Sequence, residues 1–347
     1  MNLDSPLIVA EIGNAHDGSL GNAHAYIDAV ADAGAKAIKF QCHIAEAESH
    51  PSEPWRVQFS YEDETRYDYW KRMEFEPLEW VGLYNHAKKR DLVFIVSPFS
   101  LEAVEMLEVA GADVYKIASG EVTNIPLIEA CAKTGRPMII SSGMSTMEEL
   151  REAGRIQALD GNSPYFLHCT SKYPVEPEEW GLNLIDPYAY QEVAFVGLSD
   201  HSGTVYAGLA AVALGAMIVE VHVVFSKDVF GPDTASSITI DQLAALVDGA
   251  SQIHRSLANP VDKDKVAKEL APMRQLFGKK LIAAHDMPAG HIVNLADFVA
   301  RKADGGYPLN TVDSVVGMQV ASDIKQGDVM MEFKAAPGEE KAFGVTD

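Results

Sequence analysis

The sequence has few cysteines, no long apolar run and no export signal. Its three cysteines, Cys42, Cys131 and Cys169, form no C-x-x-C pair, and an odd number cannot all pair within one chain. This pattern favours a reducing compartment over a disulfide-bonded secreted scaffold. No apolar stretch approaches the roughly 20 residues of a membrane span, and no basic segment precedes the short apolar run at the N-terminus. We therefore expect a soluble, cytoplasmic protein.

Positive charge is also scarce. The chain has 28 lysines and arginines against 50 acidic residues, which gives a formal net charge of −22. Binding to nucleic acid requires a basic footprint, and anionic membrane surfaces attract basic segments, so the composition predicts neither partner. An anionic substrate would have to be bound by local cations or by a metal ion against an unfavourable overall field. Lysines at the ends of strands are therefore candidates for binding an anionic substrate.

Val- and Ile-rich runs alternate with helix-like runs through the first part of the chain, which predicts parallel α/β architecture. The predicted strands are Leu7–Ile12, Ala37–Gln41, Leu92–Pro98, Val114–Ser119, Pro137–Ser142, Tyr165–Ser171, Ala194–Asp200 and Met217–Phe225. The predicted helices are Leu20–Ala35, Pro77–Arg90, Leu101–Ala110, Ile125–Thr134, Thr146–Ala158, Glu178–Gln191, Val205–Leu214 and Ile240–Leu257. Eight such units in about 260 residues are typical of a (β/α)8 TIM barrel. A doubly wound open sheet is the competing fold, but no G-x-G-x-x-G follows the first strand.

The pattern divides the chain into a barrel at residues 1–260, a linker at 261–278 and a small β-rich domain at 279–347. The last segment contains short strand-like runs separated by Gly and Asp turns. Within the barrel, the segment Cys42–Glu76 is too long for an ordinary βα loop and is rich in aromatic residues. We interpret this insertion as a lid or substrate wall, or alternatively as a contact between subunits.

Polar side chains close nearly every predicted strand, at the end of a TIM barrel where active sites lie. They are Glu11, Lys39, Gln41, Ser97, Lys116, Ser119, Ser141, Tyr173 and Ser199. Lys39 and Lys116, together with the serine hydroxyls, are a predicted cradle for a phosphate and a carboxylate. No Walker loop is present, so a nucleoside triphosphate is not expected. As an alternative, Lys116 could form a Schiff base, as in barrel aldolases.

Two histidines, His201 and His222, stand at the ends of the last two predicted strands. Neighbouring strands lie ~4.8 Å apart, so two imidazoles at adjacent strand ends can share one divalent cation. Two protein ligands leave coordination positions open for water and substrate oxygens, which is typical of a catalytic metal. The alternative is that each histidine is a hydrogen-bonded core residue. Imidazole accepts several divalent ions, so the pair does not select one of them.

The motifs at these positions resemble the sialic acid synthase (N-acylneuraminate synthase) family, which condenses phosphoenolpyruvate with an N-acetylated amino sugar. They include AEIGNAHDGSL, AIKFQ, YKIASGEVTNIPLIE, SSGMST, LHCTSKYP, GLSDHSGT and FGPDTASS. The segment DMPAGHIVNLADFVARKADGGYPLN resembles the antifreeze-protein-like (SAF) domain of that family. In the family, this domain reaches the partner's active site in a domain-swapped homodimer.

The resemblance implies a role for each matching residue. His201 and His222 would hold Mn²⁺ or Mg²⁺, and Glu11, Lys116 and Asp233 would be catalytic. The phosphoenolpyruvate site would comprise Lys39, Ser97, Lys116, Ser119, Ser141 and Ser199. Gln41 would bind substrate. Tyr173 and Arg301 would face the sugar, with Arg301 contacting its N-acyl group from the other subunit.

The implied reaction yields a nonulosonic acid and phosphate, which leaves by C–O cleavage. Two alternatives remain open. One is the same chemistry on a 2,4-diacetamido sugar that leads to legionaminic or pseudaminic acid, or on a spore-coat polysaccharide precursor. The other is a catalytically silent sugar-binding protein.

Overall fold

A computed structural model describes residues 3–159, 164–185 and 195–335. The chain divides into two compact units, with the boundary between Asn259 and Pro260. Among the described helices, none is long and apolar enough to cross a membrane.

The first unit is a closed barrel of eight parallel strands. They are β1 (Leu7–Gly13), β2 (Ala37–Cys42), β3 (Val93–Pro98), β4 (Val114–Ile117), β5 (Met138–Ser141), β6 (Tyr165–Cys169), β7 (Phe195–Asp200) and β8 (Ile218–Val224). They pair in chain order, and β1 pairs with β8 to close the sheet. The two-residue strand β9 (Ile238–Thr239) pairs in parallel with the end of β8. This closure confirms the predicted TIM barrel and excludes the open sheet.

Helices follow most of the strands. They are α1 (Leu20–Asp32), α2 (Ala45–Glu48), α3 (Arg66–Met73), α4 (Pro77–Lys89), α5 (Leu101–Ala110), α6 (Ile125–Lys133), α7 (Met147–Leu159), α8 (Tyr206–Ala213) and α9 (Ile240–Leu257). The helix predicted at Glu178–Gln191 is wrong over its described part, which forms short 3-10 turns at Pro177–Glu179 and Leu182–Leu184. Gly181 between them adopts a left-handed φ of 63°, which an α-helix cannot accommodate. The rest of that prediction, and the predicted strand residue Ala194, lie outside the described residues.

A layer of apolar side chains fills the inside of the barrel below the strand ends. It is formed by Val9, Ala37, Ile95, Val114, Ile139, Leu167 and Ile218, all buried. Side chains two positions apart along a strand lie on the same face. The residues two positions further along these strands therefore also face the inside of the barrel, one layer closer to the C-terminal mouth.

The insertion Cys42–Glu76 contains α2 and α3. Thr65 caps α3 in a reciprocal capping box with Asp68, which fixes where that helix begins. Trp55, Phe59 and Tyr69 contact one another, with ring centroids 5.0–6.0 Å apart. Aromatic packing of this kind gives the insertion an ordered wall without long secondary structure.

The second unit has its own small core. Its elements are α10 (Lys263–Glu269), α11 (Ala271–Phe277), β10 (Lys280–Ala283), β11 (Phe298–Arg301), α12 (Val312–Val315), β12 (Gln319–Val320) and β13 (Phe333–Lys334). β10 pairs antiparallel with β11, and β12 with β13, over buried residues such as Leu281, Met287 and Met330. The small β-rich C-terminal domain is therefore present. The segment predicted as a linker at 261–278 is not structureless, because it holds α10 and α11.

Candidate active site

Two lysines and two glutamates lie together inside the barrel, one layer above the apolar layer. Lys39 Nζ is bridged to Glu11 Oε2, and it lies 3.0 Å from Glu220 Oε1. Lys116 Nζ donates to both oxygens of Glu220, at 2.7 and 2.8 Å. All four residues are at most 4% exposed. Each of the four comes two residues after a member of the inner apolar layer on its own strand. Residues two apart on a strand share a face, so the strand geometry brings these four side chains together.

The pairing sets the charges of this cluster. Burial alone would raise the pKa of Glu220, but Lys116 and Lys39 outweigh it and hold the pKa of that carboxyl well below its usual range. Burial opposes the charge on Lys39, yet Glu11 and Glu220 raise its pKa above the ordinary value. Burial lowers the pKa of Lys116, and the Glu220 carboxylate acts against that shift. Glu220 is therefore the anion that holds both lysines in place.

The serines predicted at the strand ends fall into two groups. Ser199 donates to Glu220 Oε1 at 3.1 Å, and Ser119 contacts Ser171, with 3.0 Å between their hydroxyl oxygens. The hydroxyls of Ser97 and Ser141 are buried and have no hydrogen-bond partner among the residues that the structure describes. Buried polar groups are normally satisfied, so two unpartnered hydroxyls beside a pair of lysines indicate a place for a ligand.

His201 and His222 are neighbours, as predicted, with ring centroids 5.3 Å apart. His201 Nδ1 lies 3.0 Å from the carbonyl oxygen of Thr170. A carbonyl can only accept, so Nδ1 carries the hydrogen and the lone pair of Nε2 remains available to a ligand. Burial, with a smaller contribution from His222, lowers the pKa of His201 to about 3. The ring is therefore neutral at pH 7, as metal ligation requires.

Asp233 and Tyr173 lie beside this pair. Asp233 Oδ2 is 4.0 Å from His222 Nδ1, and the Tyr173 ring stacks on His201 at 4.1 Å between centroids. Arg56, from the insertion, donates to Asp233 Oδ1 at 2.7 Å and lies 4.2 Å from the centre of the Tyr173 ring. Within residues 3–159, 164–185 and 195–335, no group of three or more His, Cys, Asp or Glu side chains is arranged to hold a metal ion.

A cavity of about 410 Å³ opens at this end of the barrel. Gln41, Ser119, Tyr173 and Asp233 line it among the predicted residues. The insertion supplies much of the wall through Trp55, Arg56, Phe59, Arg66, Tyr69 and Trp70. This position supports the interpretation of the insertion as a substrate wall. The volume lies in the range of small-molecule sites.

Arg301 belongs to the second unit. It ends β11, is exposed, and pairs in register with Lys280 of β10. The role in sugar binding that the resemblance implies for it stays a prediction.

Glu220 is the principal site residue that the sequence analysis missed. It is a single acidic residue within the apolar run IVEVHVV of β8, two positions before His222. An acidic residue on the same strand face as a candidate metal ligand can be recognised from the sequence as a site residue. A buried carboxylate is costly unless it is paired, so such a residue indicates a buried cation beside it. The analysis also missed His43 and Glu48, which lie in the insertion.

The chain is similar to a family of known proteins over most of its length. A family model described as the NeuB family matches residues 26–262. The chain is 29% identical to N,N'-diacetyllegionaminic acid synthase of Campylobacter jejuni over 94% of this chain and 99% of that protein. It is 31% identical to human N-acetylneuraminate-9-phosphate synthase over 94% of this chain and 91% of that protein. A crystal structure of N-acetylneuraminic acid (sialic acid) synthetase from Leptospira borgpetersenii, in complex with citrate, superposes with a TM-score of 0.67 at 29% identity, covering 80% of this chain and 93% of that one.

Proposed function

The chain belongs to the NeuB family of enzymes, and from this premise we propose that it condenses phosphoenolpyruvate with an N-acetylated amino sugar and water. The products are a nonulosonic, sialic-type acid and phosphate. The observation that carries the proposal is the buried cluster of Lys39, Lys116, Glu11 and Glu220 at the mouth of the barrel. Such a cluster combines cationic donors for an anionic substrate with a carboxylate that can accept a proton.

Phosphoenolpyruvate fits the hydrogen-bond donors of the lysines and serines that are not used within the cluster. An ammonium has three N–H donors, and Lys39 and Lys116 each direct two contacts at carboxylate oxygens. One donor on each lysine remains, beside the unpartnered hydroxyls of Ser97 and Ser141. These four groups suit the phosphate and carboxylate of this substrate, and the lysines would oppose the charge that builds on the departing phosphate.

A divalent cation, Mn²⁺ or Mg²⁺, is part of the proposal. The residues fit it, because His201 is held with Nε2 available and His222 lies beside it. Bound there, the cation would supply Lewis-acid polarisation of the aldehyde oxygen of the open-chain sugar. His201 and His222 would hold it, and Glu11 would take the proton from the water that adds to C2 of phosphoenolpyruvate. Asp233 would orient the sugar.

The charge of the cavity favours an acceptor without a phosphate group. The lining carries four carboxylates, on Glu48, Glu53, Glu121 and Asp233, and two arginines. Both arginines are already paired, Arg56 with Asp233 and Arg66 with Glu53. A sugar phosphate would meet this negative field in a confined space, whereas hydroxyl and amide groups would find acceptors. N-acetylmannosamine and 2,4-diacetamido hexoses both meet the requirement, and Arg301 of the partner subunit would complete the site.

A Schiff-base lyase using Lys116 is the second candidate. An imine-forming lysine must present a free amine. Lys116 Nζ donates to both oxygens of Glu220, which favours the ammonium form. We expect no stable adduct when the protein is treated with pyruvate and borohydride. A borohydride-reduced adduct on Lys116 would favour the lyase instead.

The deciding experiment measures phosphate release from phosphoenolpyruvate, with Mn²⁺ or with EDTA, across N-acetylmannosamine, its 6-phosphate and 2,4-diacetamido hexoses. We expect release with one neutral sugar, loss of release in EDTA, and much slower release with the 6-phosphate. Binding of phosphoenolpyruvate without release for any sugar would favour the silent sugar-binding protein.

A further inference from the structure

A chain of hydrogen bonds runs from the insertion to Glu11. Gln41 Nε2 donates to Glu11 Oε1 at 3.2 Å, and Gln41 Oε1 lies 3.2 Å from His43 Nε2. On its other side, His43 Nδ1 lies 2.6 Å from Glu48 Oε1. Asn14 Nδ2 also points at Gln41 Oε1, at 3.4 Å. Glu48 is thus connected through two intervening side chains to the proposed base.

The chemistry of the groups fixes the orientation of each member. A carboxylate only accepts, so the NH₂ end of Gln41 must face Glu11, and its carbonyl must face His43. With a hydrogen on Nε2, His43 donates to that carbonyl. Asn14 Nδ2, which lies 3.4 Å from both Gln41 Oε1 and His43 Nε2, then donates to the same carbonyl oxygen. The short contact between His43 Nδ1 and Glu48 requires a further proton between them, whichever of the two atoms holds it. In this arrangement the pair aims a donor at the Gln41 carbonyl.

Packing prevents His43 from turning away. Its ring lies between Trp70 and Phe99, with centroid distances of 4.1 and 4.6 Å and interplanar angles of 20° and 13°. The His43 side chain is 2% exposed and that of Glu48 is 9% exposed. A buried ring held between two aromatic faces can neither rotate freely nor exchange its partners with water.

We propose that His43 and Glu48 are a positioning pair, which fixes the Gln41 amide with its NH₂ group toward Glu11 and so holds the Glu11 carboxylate in its working orientation. Without the pair, the Gln41 carbonyl loses its contact with His43. The amide can then turn away from Glu11, and the carboxylate loses a hydrogen bond that orients it. The claim rests on the proposed role of Glu11 in condensation. It gives the insertion a second task beside forming the cavity wall.

The first test replaces His43 by phenylalanine. The H43F variant keeps a flat ring between Trp70 and Phe99 but removes both hydrogen bonds. We expect the kcat of phosphate release to fall roughly 10- to 100-fold, as for loss of a bond to a charged group, with the KM for phosphoenolpyruvate changed much less. The matched control is H50F, because His50 is an exposed histidine of the same insertion. Activity of H43F equal to that of H50F would overturn the proposal.

A double-mutant cycle separates positioning from general damage. If His43 acts through Gln41, then adding H43F to a Gln41→Leu variant should lower kcat no further. Additive losses would show that His43 acts through packing and would refute the claim. Glu48 offers a rescue test. Glu48→Gln still pairs with His43 Nδ1, so it should lose at least fivefold less activity than Glu48→Ala.

A measurement on the ring itself does not depend on turnover. In protein labelled with ¹⁵N-histidine, with H43F used for assignment, His43 Nε2 should resonate in the protonated range. A bare Nε2 would disprove the positioning pair in an active or an inactive protein. Absence of phosphate release with every sugar would instead count against the proposed function, and the two failures are therefore distinguishable.

Discussion

Replacing Glu220 by glutamine should destabilise the barrel strongly while preserving its shape. Glu220 receives hydrogen bonds from Lys39, Lys116 and Ser199 within 2.7–3.1 Å and is 3% exposed. Glutamine keeps the volume, but it removes the charge and turns a donor toward two ammonium groups. Removing one partner of a buried ion pair costs about 3–5 kcal/mol. We expect a loss of that size in the free energy of unfolding.

The pH dependence of this loss follows from the shifted pKa values of Glu220, Lys39 and Lys116. The pKa of Glu220 is lowered, so its contribution is fully present above its ordinary value of 4.5 and is lost only as pH falls below that. The pKa of Lys39 is raised, so its contribution is complete below 10.5 and is lost only at higher pH. In Glu220→Gln, Lys116 loses the carboxylate that opposes the lowering of its pKa. The deficit should therefore be largest near pH 5 and shrink as pH rises toward 10.5.

Urea unfolding followed by tryptophan fluorescence measures this deficit at several pH values. Glu102→Gln on the exposed face of α5 is the matched control and should change the free energy of unfolding by less than about 0.5 kcal/mol. The double variant Glu220→Gln/Lys116→Met should lose less than the sum of its single variants, because the second change removes the uncompensated cation. A deficit below about 1 kcal/mol near pH 5, or fully additive losses, would refute this account of the cluster.

Three further predictions concern other parts of the site. His222→Ala should abolish Mn²⁺-dependent phosphate release and leave the circular dichroism spectrum unchanged; full activity would show that His222 is not a ligand. Arg56→Ala removes the ion pair with Asp233 and the cation that stacks on Tyr173. It should therefore raise the KM for the sugar by about 3- to 10-fold in steady-state kinetics. An unchanged KM would exclude Arg56 from sugar binding. Burial lowers the pKa of His16 to about 3. As the pH is lowered from 6.5 to 3, this ring should therefore reduce the free energy of unfolding by about 1.4 kcal/mol per pH unit. His16→Gln should remove that part of the slope in urea titrations, and an unchanged slope would contradict it.

The barrel and the strand-end residues were predictable because parallel α/β architecture imposes strong periodicity. All eight strands were placed within a few residues, and His201 and His222 were paired from their positions alone. The insertion was not predictable in the same way. Arg56 meets Asp233 across 177 positions of the chain, and His43 is held by Trp70 and Phe99. Such contacts depend on how an irregular segment folds over the barrel, and local sequence patterns carry little information about that.

The omission of Glu220 has a different cause, since the strand containing it was correctly predicted. The sequence analysis counted polar residues at strand ends, whereas the barrel interior is organised in layers two residues apart. Ile218 lies in the apolar layer, so Glu220 and His222 must face inward above it, just as Lys39 and Gln41 do above Ala37. Two inward lysines within a barrel require buried anions, because an isolated buried ammonium would lose its charge. Glu11 alone cannot neutralise both, so charge balance and strand parity together required a second inward acid, and in β8 the only acidic residue is Glu220.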